Sequence, residues 1–158
     1  MQDPFERNVP GIGVGRDPCR TPMQWDSSVN AGFSTAEPWL PIAANYTEVN
    51  VEAETKDAAS ILSLYRRLLR LRREHAALAV GTYLPVATTG DLLAYIRANG
   101  SDRFFVALNL GPEPHSLSLA VLGLAGRTVV SSHLDRQDES VTSDFALRPH
   151  EGIVVQLV

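Results

Sequence analysis

Between Gly15 and Asp26 the chain reads GRDPCRTPMQWD. Arg16 and Arg20 stand four residues apart, with Asp17 and Asp26 beside them and Gln24 and Trp25 close behind. Asn30 and Phe33 follow a few residues on. Guanidinium groups present rigid forks of donors to hydroxyls or carboxylates. Amide side chains donate and accept at once, and Trp25 and Phe33 offer apolar faces on which a sugar ring can stack. This is the inventory of a carbohydrate pocket. The same residues also fit a structural role, in which Trp25 and Phe33 anchor a small satellite core and Arg16 pairs with Asp17 or Asp26.

Other chemistries find less support. The four histidines, His75, His115, His133 and His150, are scattered, and no Cys/His cluster has zinc spacing. They read as surface or helix-face residues. No nucleophile elbow, P-loop or dinucleotide fingerprint is present. The glycines Gly11, Gly13 and Gly15 do not run into an apolar helix, so they read as a turning loop and not as a phosphate cradle. Neither a metal nor a cofactor is expected. A net charge of −4 gives nucleic acid no electrostatic foothold. No apolar run approaches the length of a membrane span, and the first residues lack the apolar core of a secretion signal. The single cysteine, Cys19, rules out an internal disulfide and fits a reducing, cytoplasmic location.

The elements that must position these residues are of two kinds. Residues 1–56 hold six of the ten prolines and no sustained apolar period. They predict a long irregular loop, of the sort that is either functional or part of a larger body. The abrupt, loop-like opening fits the second case. Asp57 to Leu78 predicts one helix, N-capped by Asp57, with Ile61, Leu64, Tyr65, Leu68, Leu71, His75 and Leu78 on one face. Arg66, Arg67, Arg70 and Arg73 lie mostly off that face. They read as a patch for a polyanion or, more commonly, as a solvated or ion-paired helix face. Gly81 ends the helix.

From Gly81 the period changes. GTYLPV, LLAYIRA, RFFVALNL, HSLSLAV, RTVVSSH and GIVVQLV are short β-type runs. Thr89-Gly90-Asp91, Asn99-Gly100-Ser101, Gly111-Pro112 and Pro149-His150-Glu151-Gly152 supply turns between them. The expectation is an antiparallel sandwich.

The stretch DPFERNVPGIGVGRDPCRTPMQWD, with NAGFS and EPWLPI after it, closely resembles the α-glucosidase and oligo-1,6-glucosidase branch of the α-amylase family of glycoside hydrolases. SILSLYRRLLRLRREHAAL looks like the family's last barrel helix, and the β-rich tail is similar to the small sandwich that follows the barrel. The resemblance implies that residues 1–79 are the end of a (β/α)₈ catalytic barrel, namely the loop after strand 8 and then helix 8. Residues 80–158 would be a C-terminal antiparallel β-sandwich. The fold class expected is thus mainly β, preceded by a long loop and one helix left over from a barrel whose active site lies at the C-terminal ends of its strands.

The family is retaining and works through paired carboxylates. The resemblance places its aspartate nucleophile, glutamate acid/base and second aspartate on earlier strands. None of those motifs matches here, so Asp17, Asp26 and Glu37 are not assigned and no catalytic residue is named. Arg20 carries over as a residue of the pocket for the non-reducing glucose, paired in the family with an aspartate from an early barrel loop. Arg16, Gln24, Trp25, Asn30 and Phe33 are loop scaffold or outer-subsite candidates. The calcium loop of some members also lies upstream, so no metal follows.

The implied function is that of a C-terminal fragment of an α-glucosidase-type enzyme acting on terminal α-glucosidic bonds of malto- or isomalto-oligosaccharides. Its partners would be the oligosaccharide and the missing barrel portion, with neither nucleic acid nor membrane. The segment alone is expected to be inactive. The alternatives are a non-catalytic relative such as an amino-acid transporter heavy chain, a trehalose-synthase-type parent, and a carbohydrate-binding sandwich presenting Tyr83 and Tyr95.

Overall fold

The computed structural model describes residues 2–11 and 15–158; Gly13 of the glycine-rich loop lies outside them. The chain divides into two compact units, Met1–Leu62 and Ser63–Val158.

The first unit is mostly turns. It contains a short helix α1 (Pro4–Asn8), 3-10 turns at Asp17–Cys19 and Val29–Gly32, and a helix α2 (Val51–Lys56). Among its described residues only Pro22, Ala31 and Leu40 are buried apolar groups. Side-chain hydrogen bonds to the backbone take the place of a core. Asn50 caps α2 by accepting from the Ala53 N–H at 2.8 Å while donating to the Tyr46 carbonyl at 2.8 Å. Gln24 donates to the Val49 carbonyl at 2.6 Å.

The second unit is mainly antiparallel β-sheet. After helices α3 (Ile61–Glu74, all but its first two residues in this unit) and α4 (Ala76–Val80) come eight strands. These are β1 (Thr82–Val86), β2 (Leu92–Asn99), β3 (Asp102–Asn109), β4 (His115–Ser118), β5 (Gly126–Ser131), β6 (Ser140–Val141), β7 (Asp144–Leu147) and β8 (Gly152–Leu157). Six form one sheet in the order β1-β2-β3-β8-β5-β6, and β4 pairs with β7 in a two-stranded ribbon.

The core lies between the sheet and the ribbon. Phe105, Ala107, Ile153 and Val155 from the sheet meet Leu147 and Phe145 from the ribbon, and the Phe105 and Phe145 rings cross edge to face at 6.4 Å. Strand β3 is also covered on its other face, where Phe104 is fully buried against the edge of the His75 ring at 4.7 Å. A strand buried on both faces needs no polar alternation, which explains the unbroken apolar run Phe104–Leu108. Pro85 is tolerated because β1 is an edge strand. At Gly126 a Cβ would lie 2.2 Å from the Gln156 carbonyl oxygen, so the β5–β8 approach requires glycine. A bulge at Val129 interrupts that pairing, and the Arg67 guanidinium donates to the Val129 carbonyl at 2.9 Å. Tyr83 and Tyr95 stack on each other across β1 and β2 at 5.1 Å, so each covers one face of the other.

Several expectations are corrected. The single helix Asp57–Leu78 is two helices, with a break at His75 (φ −123°, ψ 111°). Asp57 follows the end of α2 and is no N-cap of α3; its carboxylate accepts from the Ala59 N–H. The turn after it is closed by Ser60, which donates to the Glu54 carbonyl at 2.7 Å, and by Glu54, which accepts from the Leu62 N–H at 3.0 Å. Ile61 and Tyr65 of the expected apolar face are exposed. The run HSLSLAV is strand only as far as Ser118, and in the ribbon; strands β6 and β7 carry no clear signal in the sequence.

Candidate functional site

The start of the loop, at Arg16–Arg20, is organised around Asp3, which no solvent reaches. Pro4 at the first helical position and Asp3 before it form an Asp-Pro helix start. Asp3 Oδ1 caps α1 by accepting from the Phe5 N–H at 2.8 Å. This fixes the carboxylate plane and aims Oδ2 at the loop. Oδ2 accepts from the Arg16 N–H at 3.2 Å, from Arg16 Nε at 2.9 Å and from Arg20 Nη2 at 3.0 Å. The Arg16 side chain, and next the Phe5 amide, hold the Asp3 carboxyl at about 2 although burial pushes it the other way.

Asp17 completes the arrangement. One oxygen accepts from the Gln2 and Asp3 N–H groups and the other from Arg20 Nη2 at 3.1 Å. The Gln2 amide first, then the Asp3 amide and the Arg20 guanidinium, keep its carboxyl below the ordinary range against the effect of burial. Arg20 Nε donates to the Arg16 carbonyl at 3.4 Å, and its guanidinium lies over the Trp39 ring, 5.7 Å from the centroid. Arg20 Nη1 makes no hydrogen bond to the described residues, and the side chain is 38 % exposed. One edge of this guanidinium is therefore fixed and the other is open.

The remaining candidates divide. Gln24 and Asn30 have their amide donors committed: Gln24 to Val49, and Asn30 to the Ser34 and Ala36 carbonyls at 3.1 Å each. Asn30 and Ala31 both take left-handed backbone conformations (φ 56° and 55°), which asparagine tolerates best. The Ala31 carbonyl accepts from both the Trp25 and Asp26 N–H groups, closing the turn. Asp26 accepts from the Ser28 hydroxyl and N–H, which lower its pKa against the effect of burial. Trp25 and Phe33 are about half exposed and do not anchor a core; Phe33 lines a shallow depression with Ser28, Val29 and Gly32. The structure thus joins Arg16 and Arg20 in one cluster and leaves Gln24, Trp25, Asn30 and Phe33 along a separate turn. Arg16 pairs with Asp3, not with Asp17 or Asp26.

Sequence reasoning passed over Asp3 and Trp39. The Asp-Pro start was a legible signal for the first. Trp39 gives no local signal, because its partner is nineteen residues away.

Alpha amylase, catalytic domain, is the family whose pattern matches this chain, over residues 2–81. The chain belongs to the alpha-amylase family. Among its relatives in this family is the glucan 1,6-alpha-glucosidase of Streptococcus pneumoniae, 41 % identical over 73 % of this chain and 22 % of that protein. The oligo-1,6-glucosidase of Parageobacillus thermoglucosidasius is 33 % identical over 99 % of this chain and 28 % of that protein. Among solved structures, the trehalulose synthase of Pseudomonas mesoacidophila superposes with a TM-score of 0.81 at 34 % identity, covering 91 % of this chain and 26 % of that one. The isomaltulose synthase of a Klebsiella species gives 0.81 at 30 % identity, with the same coverage. The chain spans about a quarter of the length of the curated relatives it matches.

A second charged cluster of this alpha-amylase family chain sits in the β-unit, and no sequence signal pointed to it. Glu151, fully buried in the turn before β8, accepts from Ser131 Oγ at 2.9 Å, from the Arg148 N–H at 2.8 Å, and from Arg148 Nη2 and Nε at 2.6 and 3.1 Å. Arg148 also holds Asp135 bidentately at 2.6 and 2.7 Å. Arg136 Nε stands 3.5 Å from Glu151 and His133 3.8 Å. His133, Asp135 and Glu151 bring ligand atoms within 4.8 Å of one another, as a metal would require. Two guanidinium groups already neutralise them, so the field opposes a cation. Among the described residues, no helix is long and apolar enough to cross a membrane.

Proposed function

We propose that this chain forms the last part of an α-glucosidase-type retaining glycoside hydrolase that removes terminal glucose from malto- or isomalto-oligosaccharides. On this reading residues 1–56 are the loop after the eighth barrel strand, α3 and α4 derive from the last barrel helix, and the β-sheet unit is the domain that follows. The observation that carries the reading is Arg20, with one edge of its guanidinium tied to Asp3 and Asp17 and the other open. An open, immobilised donor edge suits a glucose hydroxyl, since little rotamer freedom is lost when it binds. Arg20 cannot serve as a base near neutral pH; its part is to hold the terminal sugar. Trp25 and Phe33 supply outer-subsite surface, and Gln24 and Asn30 are the scaffold of the turn. Relatives named glucan 1,6-alpha-glucosidase, oligo-1,6-glucosidase and probable alpha-glucosidase support the substrate class.

The test is kinetics of the full-length enzyme on maltose, isomaltose and a chromogenic α-glucoside. Glucose release from at least one of them is expected, with Arg20→Ala lowering kcat/KM at least about a hundredfold, as expected for losing a charged partner. Near-native kinetics after that change would remove Arg20 from the pocket. A second reading, an isomerising transglucosidase, is favoured by one observation: structural neighbours include trehalulose and isomaltulose synthases, one of them a variant in complex with the substrate sucrose. Incubation with sucrose separates the two, since an isomerase returns a disaccharide where a hydrolase returns monosaccharides.

A further inference from the structure

We propose that Asp3 is the positioning residue for Arg20, orienting its open edge toward the sugar while taking no part in chemistry itself. This rests on the reading of Arg20 as a substrate ligand. Asp3 has two separable tasks. Oδ1 caps α1 through the Phe5 N–H, and Oδ2 gathers Arg16 Nε and Arg20 Nη2 at 2.9 and 3.0 Å. The carboxylate is sealed from solvent and its plane is set by the cap, so it is a fixed anchor. Arg20, in contrast, is a long side chain that would otherwise populate many rotamers. Asp17 alone cannot hold it. Asp17 Oδ1 takes the same Nη2, and its other oxygen is spent on the Gln2 and Asp3 amides. With Asp3 and Asp17 both on Nη2, Nε on the Arg16 carbonyl and the ring of Trp39 beside it, the guanidinium is held on several sides and Nη1 is left without a hydrogen bond to the described residues. Arg16 is the counterweight. It brings a second positive charge to the same oxygen, so the buried carboxylate stays ionised and cannot release Arg20 by protonation near neutral pH.

The two tasks can be pulled apart by mutation. Asp3→Ser keeps a good helix cap but cannot reach either guanidinium. Asp3→Asn keeps the shape and loses the charge. In the full-length enzyme both are expected to lower kcat/KM on a chromogenic α-glucoside at least tenfold while the thermal unfolding midpoint of Asp3→Ser stays near that of the parent. The deciding measurement is the double-mutant cycle. Asp3→Asn placed on Arg20→Ala should cause less than a twofold further loss, because its effect passes through Arg20. If Arg20→Ala is harmful and Asp3→Ser and Asp3→Asn are not, the positioning role is wrong and the reading of Arg20 stands. Losses that multiply in the double variant would make Asp3 a purely structural residue and overturn the proposal. If Arg20→Ala is itself without effect, the reading of Arg20 falls and the proposal with it.

Discussion

Replacing Glu151 by glutamine removes the charge from a carboxylate that solvent does not reach and that three side chains and one amide address. Burial pushes its pKa up, but the Arg148 side chain and amide, Ser131 and Arg136 outweigh it and hold the group at about 2 against an ordinary 4.5. At about 1.4 kcal/mol per pH unit, that distance corresponds to about 3 kcal/mol of folding stability, at the low end of the roughly 3–5 kcal/mol for breaking a buried ion pair. Glutamine still accepts from Arg148 and Ser131, so the loss should not exceed this figure, whereas Glu151→Ala should approach the upper end. Because the folded pKa is depressed, the stabilisation is complete above 4.5 and is lost as pH falls toward 2. Urea denaturation of parent and Glu151→Gln should therefore show a gap of about 3 kcal/mol near pH 7, shrinking by more than half at about pH 3. A gap below about 1 kcal/mol at neutral pH, or one that does not change with pH, would show that Glu151 is not the centre of the cluster.

Three other outcomes are expected. Gly126→Ala forces a methyl against the Gln156 carbonyl, and should destabilise by about 1–3 kcal/mol in the same denaturation experiment. Phe105→Ala empties the middle of the β-core, and should lose about 3–5 kcal/mol with a matching fall in the thermal midpoint. The purified 158-residue chain should not cleave a chromogenic α-glucoside, since none of the family's carboxylate motifs matches it; turnover that follows the protein through purification and is lost in Arg20→Ala would contradict this.

Legibility in the sequence followed the range of the forces involved. The β2–β3 hairpin was readable because Asn99-Gly100 lies where a tight turn needs a positive φ, and Gly100 adopts +60°. The central strands were readable because Phe104–Leu108 and Ile153–Leu157 are denser in apolar residues than any loop tolerates. Strand β7 was not, since only Phe145 and Leu147 of its four residues face the core and nothing nearby marks them. The helix break at His75 was invisible because the apolar spacing runs through it to Leu78. Its cause is Asp102, twenty-seven residues on, which bonds His75 Nδ1 at 3.0 Å and caps α4 through the Ala77 N–H at 3.3 Å. The candidate site shows the same split. Residue types announced arginine–carboxylate chemistry, but nearest-neighbour reasoning gave Arg16 to Asp17 or Asp26, whereas a helix cap thirteen residues upstream takes it. The first unit looked structureless because periodicity detects apolar faces, and this unit is held by polar side chains on backbone groups.

The strand order β1-β2-β3-β8-β5-β6 has a consequence for how the chain is made. Of the eight strands β8 is the last to be synthesised, yet it belongs in the middle of the sheet. Until residues 152–157 leave the ribosome, β3 and β5 have no partner between them, and two open edges coexist with a half-built core. Such edges invite pairing with other chains. A message broken just before Gly152 would therefore yield not a slightly shortened domain but two disconnected sheet halves, each with a sticky side, and the quality of the whole β-unit is decided by the last of its strands.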